Sequence, residues 1–244
     1  MDAIILAGGF AKRMWPLTKD KPKQLLDLAG RPMLDYVIES LSKLDINRII
    51  VSVNSHFAPQ FQEYLDALST SDNIELFIEN SDNEDQKLGA LGALNLLFKK
   101  KKLKGPVFIA GGDNLSDFDL REMSRVYSEF KKDVIGLFDV EDLDLAKLYG
   151  IAELEENRII DFVEKPNSPP STLAATAYWL LSEEGIINFY KYIEEGGDRD
   201  AMGNFLVWNV KQNEVYSVSF KGNWYDIGGL ESYSHAQNWL KRRP

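Results

Sequence analysis

Short apolar runs alternate along the chain with stretches in which apolar residues recur every three or four positions. Runs at residues 3–6, 49–53, 74–78, 107–110 and 134–138 have the length of buried strands. The stretches between them each carry one apolar face. One is Met33, Leu34, Val37, Ile38, Leu41 and Leu44, after Pro32. Another is Phe57, Phe61, Tyr64, Leu65 and Leu68. Residues 88–98 form a third, and Leu120, Met123, Val126, Tyr127 and Phe130 a fourth. Each predicts a helix, with Pro32 suited to a first turn and Asp117 or Asp119 to an N-cap. Strand–helix alternation of this kind predicts a largely parallel sheet with helices on both faces.

The rhythm changes beyond about residue 140. Residues 149–154 and 158–163 read as a hairpin around Glu155-Glu156-Asn157. A strand is expected at 173–181, helices near 183–195, 200–211 and 230–241, and a strand at 214–220. The second half is α+β in texture and is expected to join the same sheet. No internal repeat or long linker interrupts the chain, and Asn167-Ser168-Pro169-Pro170 marks a turn-rich loop. The run 99–102 is four lysines ending a predicted helix, where positive charge suits the dipole.

Composition narrows the chemistry. The 244 residues are 44% apolar and 27% charged, enough for one sizeable core and too apolar for wholesale disorder. The net charge of −10 speaks against a general nucleic-acid binder. With no cysteine, disulfides, thiol catalysis and cysteine-ligated metals are excluded, and two histidines leave little room for a His-rich metal site. No run approaches the eighteen apolar residues of a membrane span. The N-terminus has no basic region before its apolar run, unlike a signal peptide, so the expected location is the cytoplasm.

One segment reverses the overall sign. The strand at 3–6 runs into Gly8-Gly9, and Lys12, Arg13, Lys19, Lys21 and Lys23 follow within twelve positions. Glycines let a backbone turn and approach a ligand, and clustered Lys and Arg suit a polyphosphate. The segment matches neither G-x-x-x-x-G-K-[ST] nor G-x-G-x-x-G. Two further places pair an aspartate with small residues, Gly112-Asp113-Asn114 and Asp226-Ile227-Gly228. Aspartates so placed suit either helix caps or magnesium, which takes one or two carboxylates and completes its shell with phosphate oxygens and water.

These elements together resemble the sugar-1-phosphate nucleotidylyltransferases. Residues 6–18 parallel the family's L-A-G-G-x-G-T-R-L-x-P-L-T, residues 22–25 its P-K-x-L, and residues 31–36 its K-P-[ML]-[IL]-x-Y, in step and without a gap. Gly112-Asp113-Asn114 matches G-D-[NT], Glu164-Lys165-Pro166 matches E-K-P, Tyr149-Gly150-Ile151 matches Y-G-[VI], and residues 224–228 match W-x-D-[IV]-G. Residues 88–94 resemble L-G-T-A-G-A-L, which lies near the nucleobase. Gly89 and Gly92, at i and i+3, would share a helix face open to a flat base. Ala11 and Lys12 replace the family's glycine and threonine, and Ala11 is expected to avoid a positive φ. The segment at 174–178 lacks the asparagine and glycine of N-A-G-x-Y.

The resemblance implies a Rossmann-like three-layer α/β fold with a mostly parallel mixed central sheet. It also implies a single catalytic domain over 1–244, about 1–140 binding nucleotide and about 141–244 binding sugar phosphate. The family's frequent C-terminal β-helix is not expected, because the sequence ends at Pro244. The implied reaction joins a nucleoside triphosphate to a phosphorylated sugar, foremost glucose 1-phosphate with dTTP or UTP, and releases pyrophosphate. Arg13 and Lys23 are the implied catalytic residues. Leu6, Ala7, Gly8, Gly9, Ala11, Lys12, Gly89 and Gly92 would bind nucleotide. Asp113, Gly150, Glu164 and Lys165 would bind substrate, and Asp113 and Asp226 would hold Mg2+. Gln86, Glu84 and Glu79 are candidates near the base, whereas His56 and His235 read as structural or surface residues. A phosphocholine or other phospho-alcohol cytidylyltransferase, a non-catalytic nucleotide-sugar-sensing subunit and an NAD-binding protein are the alternatives. No nucleic acid or membrane partner is expected, and helical faces in the second half could pair two copies.

Overall fold

Backbone pairing realises the strand–helix alternation over the first 140 residues and the α+β texture after it. The computed structural model describes residues 1–68 and 73–242; Pro244, with which the sequence ends, lies outside the described residues. The chain runs β1 (Asp2–Leu6), β2 (Asp27–Leu28), β3 (Arg31–Pro32), α1 (Met33–Leu41), β4 (Arg48–Asn54), α2 (Ala58–Ala67), β5 (Ile74–Glu79), α3 (Ala90–Lys101) and β6 (Val107–Gly111). It continues through β7 (Asn114–Ser116), α4 (Arg121–Phe130), β8 (Asp133–Asp139), α5 (Leu143–Ala146), β9 (Gly150–Glu155), β10 (Arg158–Glu164) and β11 (Leu173–Leu181). It closes with α6 (Glu183–Glu194), α7 (Met202–Asn209), β12 (Val215–Phe220), β13 (Trp224–Asp226) and α8 (Leu230–Lys241). The fold is mixed α/β, and no β-helix occurs among the described residues.

The chain divides into two compact units. The first holds residues 1–87, 110–117 and 223–244. Its strands run in the order β5-β4-β1, all parallel, with Ile4 opposite Ile50 and Val51 opposite Leu76. A parallel sheet buried on both faces needs apolar residues at consecutive positions, which Ala3, Ile4, Ile5, Ile49, Ile50 and Val51 supply. A second cluster joins Met14, Leu26, Leu28, Met33, Leu115, Ile227 and Ala236, drawn from five separate stretches of sequence. β7 and β13, three residues each, pair antiparallel.

The second unit holds residues 88–109 and 118–222. Its strands run β11-β8-β12-β10-β9. β12 lies parallel to β8, and β11 on β8, β10 on β12 and β9 on β10 are antiparallel. The expected hairpin is β9–β10, with Arg158 opposite Glu155. Aromatic rings fill the core, with Phe118 stacked on Phe220 at 4.5 Å and Phe189 edge-on to Phe98 at 5.1 Å. Buried Asp133 accepts hydrogen bonds from Ser182 N at 2.8 Å, Ser182 Oγ at 2.7 Å and Asn209 Nδ2 at 2.9 Å. Those donors answer a charge that would otherwise be costly to bury. Asp119 accepts from Arg121 N at 3.1 Å at the start of α4, whereas Asp117 takes both amides of Asn223.

Candidate active site

The glycine loop follows β1 directly. Ala7 N still donates to Ser52 O at 2.8 Å, and Asn54 Nδ2 then donates to Gly8 O at 3.0 Å, which fixes where the chain leaves the sheet. A Cβ on Gly8 would stand 2.6 Å from Glu79 Oε1, so a larger residue there would displace the Glu79 carboxylate. Glu79 is 5% exposed. Burial pushes its carboxyl up, against the Ser52 hydroxyl that donates to Oε1 at 2.8 Å. Gly9 has no neighbour within 4 Å of where its side chain would be and is exposed.

Ala11 departs from expectation. It takes φ 49° and ψ 42°, the left-handed conformation that favours glycine. Such a residue costs about 1–2 kcal/mol. The loop compels it: Ala11 O accepts Thr18 Oγ1 at 2.8 Å and Met14 N at 2.9 Å, and Met14 is buried in the second core cluster. The bend opens one 3-10 turn, Lys12–Met14, which leaves Lys12 and Arg13 exposed. Arg13 Nη2 lies 3.1 Å from where a Cβ on Gly228 would be, two residues beyond Asp226.

Lys23 sits in a second 3-10 turn and is 7% exposed. Its Nζ donates to Asp113 Oδ2 at 2.6 Å and to Ile227 O at 2.9 Å. Burial alone would raise the Asp113 carboxyl. The Lys23 charge and hydrogen bond, with the Asn114 amide, outweigh it and hold the group below the ordinary carboxylate range. Gly112 brings Asp113 to this place: its N donates to Leu6 O at 2.9 Å, and a Cβ there would press on Leu6 O and Gln24 Cγ, each at 3.0 Å. On the other side Asp226 stands opposite Asn114 in the β13–β7 register. The Asn114 amide donates to Asp113 Oδ1 at 3.1 Å and reaches Asp226 Oδ1 at 3.5 Å. The first unit therefore gathers Leu6, Ala7, Gly8, Gly9, Ala11, Lys12, Arg13, Lys23, Asp113 and Asp226.

Two carboxylates sharing one amide fit a hard divalent cation. No cluster of three or more His, Asp or Glu side chains is found among the described residues.

The second unit carries the remaining candidates. Gly150, first in β9, faces Glu164, last in β10. A Cβ on Gly150 would meet Phe162 Cζ at 2.3 Å and Glu164 Oε2 at 2.8 Å. A Cβ on Gly203, in the first turn of α7, would meet the same Oε2 at 1.8 Å. Two glycines thus form the seat of the Glu164 carboxylate. Adjacent strand residues point to opposite faces, so Glu164 and Lys165 need not pair. They do approach, at 3.5 Å, because Lys165 leaves the strand at φ 47° while its N donates to Tyr149 O at 3.0 Å. The Lys165 side chain is 61% exposed.

The segment at 174–178 lies in β11, with a register shift between Ala175 and Trp179. Thr176, in place of the family's glycine, spends its hydroxyl on this bulge. Oγ1 donates to Gly136 O at 2.8 Å and accepts from Tyr178 N at 3.3 Å. Gly89 and Gly92 do not offer an open helix face. Gly89 is the N-cap of α3 at φ 72°, and a Cβ on it would meet Arg199 O at 2.4 Å. Ala90 N donates to Asp200 O at 2.8 Å and Leu91 N and Gly92 N to Arg199 O at 3.1 and 3.2 Å. The small face is covered by the Arg199–Asp200 backbone, which also satisfies the first N–H groups of the helix.

Sequence reasoning did not single out Asn114, whose amide lies between Asp113 and Asp226, or Gly203, against which the Glu164 carboxylate rests. Asn114 lies inside a matched motif, whereas Gly203 has no local signal. His56 stacks edge-on to Phe57 at 4.6 Å, in keeping with a surface residue.

Comparison with known proteins agrees with the fold. The family model described as nucleotidyl transferase matches residues 2–243. A Sulfolobus acidocaldarius protein, provisionally named a mannose-1-phosphate guanyltransferase, is 30% identical over 96% of this chain, and the match spans 61% of that relative's length. The UTP–glucose-1-phosphate uridylyltransferase of Staphylococcus epidermidis is 28% identical over 93% of this chain and 87% of its own. A solved Bacillus anthracis structure, provisionally named a glucose-1-phosphate thymidylyltransferase, superposes with a TM-score of 0.86 at 24% identity. It covers 100% of this chain and 96% of that one, and it shows the shared fold.

Proposed function

The chain belongs to the nucleotidyl transferase family, and from that premise we propose that it moves a nucleotidyl group from a nucleoside triphosphate to a sugar 1-phosphate. The products are a nucleoside diphosphate sugar and pyrophosphate. The observation that carries the reading is buried Lys23 held between Asp113 and Ile227, with Asp226 across the Asn114 amide. Lys23 supplies an ammonium beside Asp113 and Arg13 a guanidinium beside Gly228, cations of the kind a reaction between two anions requires.

An oxygen of the sugar phosphate attacks the α-phosphorus in line. The bond from the α-phosphorus to the bridging oxygen breaks, and its electron pair leaves with pyrophosphate. Lys23 offsets the negative charge that builds on the α-phosphate, and Arg13 holds the departing β- and γ-phosphates. Leu6, Ala7, Gly8, Gly9, Ala11 and Lys12 line the triphosphate's path. In the second unit Glu164 accepts from sugar hydroxyls, Gly150 lets the ring approach the backbone, and Lys165 orients the sugar phosphate. Magnesium held by Asp113 and Asp226 would offset repulsion between the two substrates. No general base is needed, because the attacking phosphate is already ionised at neutral pH.

We assign about residues 1–140 to nucleotide binding and 141–244 to sugar phosphate binding. Glucose 1-phosphate with dTTP or UTP is the proposed pair; the name of the Staphylococcus relative agrees with glucose 1-phosphate and UTP, whereas that of the Sulfolobus relative points to mannose 1-phosphate and a guanylyl group. Consumption of a nucleoside triphosphate fits the cytoplasm, and no helix among the described residues is long and apolar enough to cross a membrane. One observation favours a phospho-alcohol acceptor instead: Ala174 and the internally bonded Thr176 offer no polar group to a sugar.

The test is pyrophosphate release, with and without magnesium, from five nucleoside triphosphates against glucose-, mannose-, galactose- and glucosamine-1-phosphates and phosphocholine. Magnesium-dependent release with glucose 1-phosphate and dTTP or UTP is expected. Release only with mannose 1-phosphate and GTP would overturn the substrate pair, release only with phosphocholine would overturn the sugar, and silence throughout would overturn the activity.

A further inference from the structure

The carboxylates of Asp113 and Asp226 come from positions 113 residues apart in the sequence, and one side chain stands between them. Asn114 Nδ2 is within reach of both, at 3.1 and 3.5 Å. An asparagine amide has two ends of nearly equal size, one donating and one accepting. Rotated by half a turn, Asn114 would aim its oxygen at two carboxylates and push them apart. What sets the rotation is on the adjacent strand: Trp224 Nε1 donates to Asn114 Oδ1 at 2.8 Å. An indole N–H only donates, so it requires the oxygen end and leaves the NH2 end for the carboxylates.

The register makes this possible. Asp226 pairs with Asn114 and Trp224 with Ser116 across β13 and β7. Directly paired residues project to the same face, as do residues two apart on one strand. Trp224, Asp226 and Asn114 therefore share one face, and the indole reaches Asn114 diagonally.

We propose that Trp224 and Asn114 form a positioning relay, in which the indole N–H orients the amide and the amide holds Asp113 and Asp226 ready to share one divalent cation. The inference rests on the reading of those two aspartates as the metal pair. Trp224 and Asn114 are positioning residues, since both act through the carboxylates. Partners of this kind behind a metal ligand are commonly worth about 10- to 100-fold in metal affinity or activity.

The test is Mn2+ binding to the substrate-free protein, followed by electron paramagnetic resonance, in wild type, Trp224→Phe, Asn114→Leu and the double variant. Trp224→Phe keeps a large ring and loses only the donor and the indole's extra carbons. Each single variant is expected to weaken Mn2+ binding about tenfold. The double variant should lose little more than either single, because both remove the same relay. In turnover assays the magnesium activation constant should rise in Trp224→Phe, while kcat at saturating magnesium stays within about threefold. Mn2+ affinity unchanged in Trp224→Phe, or losses that add in the double variant, would overturn the relay. A wild type that binds no Mn2+ either alone or with a non-hydrolysable nucleoside triphosphate present would instead overturn the metal pair itself, before either variant is compared.

Discussion

The Glu164 carboxylate occupies the space a methyl group on Gly203 would need: a Cβ there would stand 1.8 Å from Oε2. Glycine in a helix is normally a cost of about 1 kcal/mol against alanine. Here it lets α7 and β10 meet around the carboxylate. Gly203→Ala should displace Glu164 and lower kcat/KM for the sugar phosphate by up to ~10²-fold, the scale of a misplacement near 1 Å. The KM for the triphosphate should not move. A variant that is more stable by about 1 kcal/mol and equally active would mean that Glu164 simply turns aside.

Lys23 answers the charge of Asp113 in the folded protein. Its proposed task during turnover is to neutralise the α-phosphate. Lys23→Ala should lower turnover about 10²–10³-fold at saturating substrates, the usual loss for one preorganised stabilising group. Rapid-quench measurement of the chemical step checks this, and an unchanged rate would remove Lys23 from the mechanism.

The parts of the fold and site legible in sequence were those with a local signal. Buried strands such as β1 and β4 are continuous apolar runs, and α1 and α4 keep one apolar face, so periodicity finds them. Gly8-Gly9, Lys23, Asp113, Glu164 and Asp226 stand in short motifs. What stayed hidden depends on partners far along the chain. β7 and β13 are too short for any period, and they pair residues 110 positions or so apart, as Asp226 does with Asn114. A stripe of small residues looks the same whether a base or a loop will cover it, and at Gly89 and Gly92 the Arg199–Asp200 backbone does. Alanine normally argues against a positive φ. At position 11 that preference is overruled by Thr18 and by the burial of Met14.

Ala11 is open to a direct test. A β-branched side chain is stiffer than alanine and still less tolerant of φ 49°. Ala11→Val should destabilise the protein by about 1–2 kcal/mol. Ala11→Gly relieves the left-handed strain but adds freedom to the unfolded chain, so it should be neutral or stabilising by up to about 1 kcal/mol. Urea unfolding of the three proteins decides the matter. Equal midpoints for Val and Ala would show that the loop relaxes to a negative φ.

Glu79 sets the pH dependence expected near the glycine loop. Its carboxyl is raised by burial, with the Ser52 hydrogen bond only partly opposing. A raised native value means the folded protein keeps this proton to higher pH than the unfolded chain does. The stability it contributes is therefore complete below the ordinary glutamate range and is lost as pH rises through the native value. Asp133, also raised by burial, adds a loss of the same sign. Asp113 has the opposite sign: its value is depressed, so its contribution is present above the ordinary carboxylate range and is lost as pH falls through the native value. Glu79→Gln keeps an acceptor for Ser52 and removes the charge. Its stability relative to wild type should rise from the ordinary glutamate range up through the native value, and level off once Glu79 is fully ionised. Guanidinium midpoints at half-unit pH steps give both curves. Parallel curves across that window would show that Glu79 titrates alike in the folded and unfolded chains, and that its burial against Gly8 leaves its proton affinity unchanged.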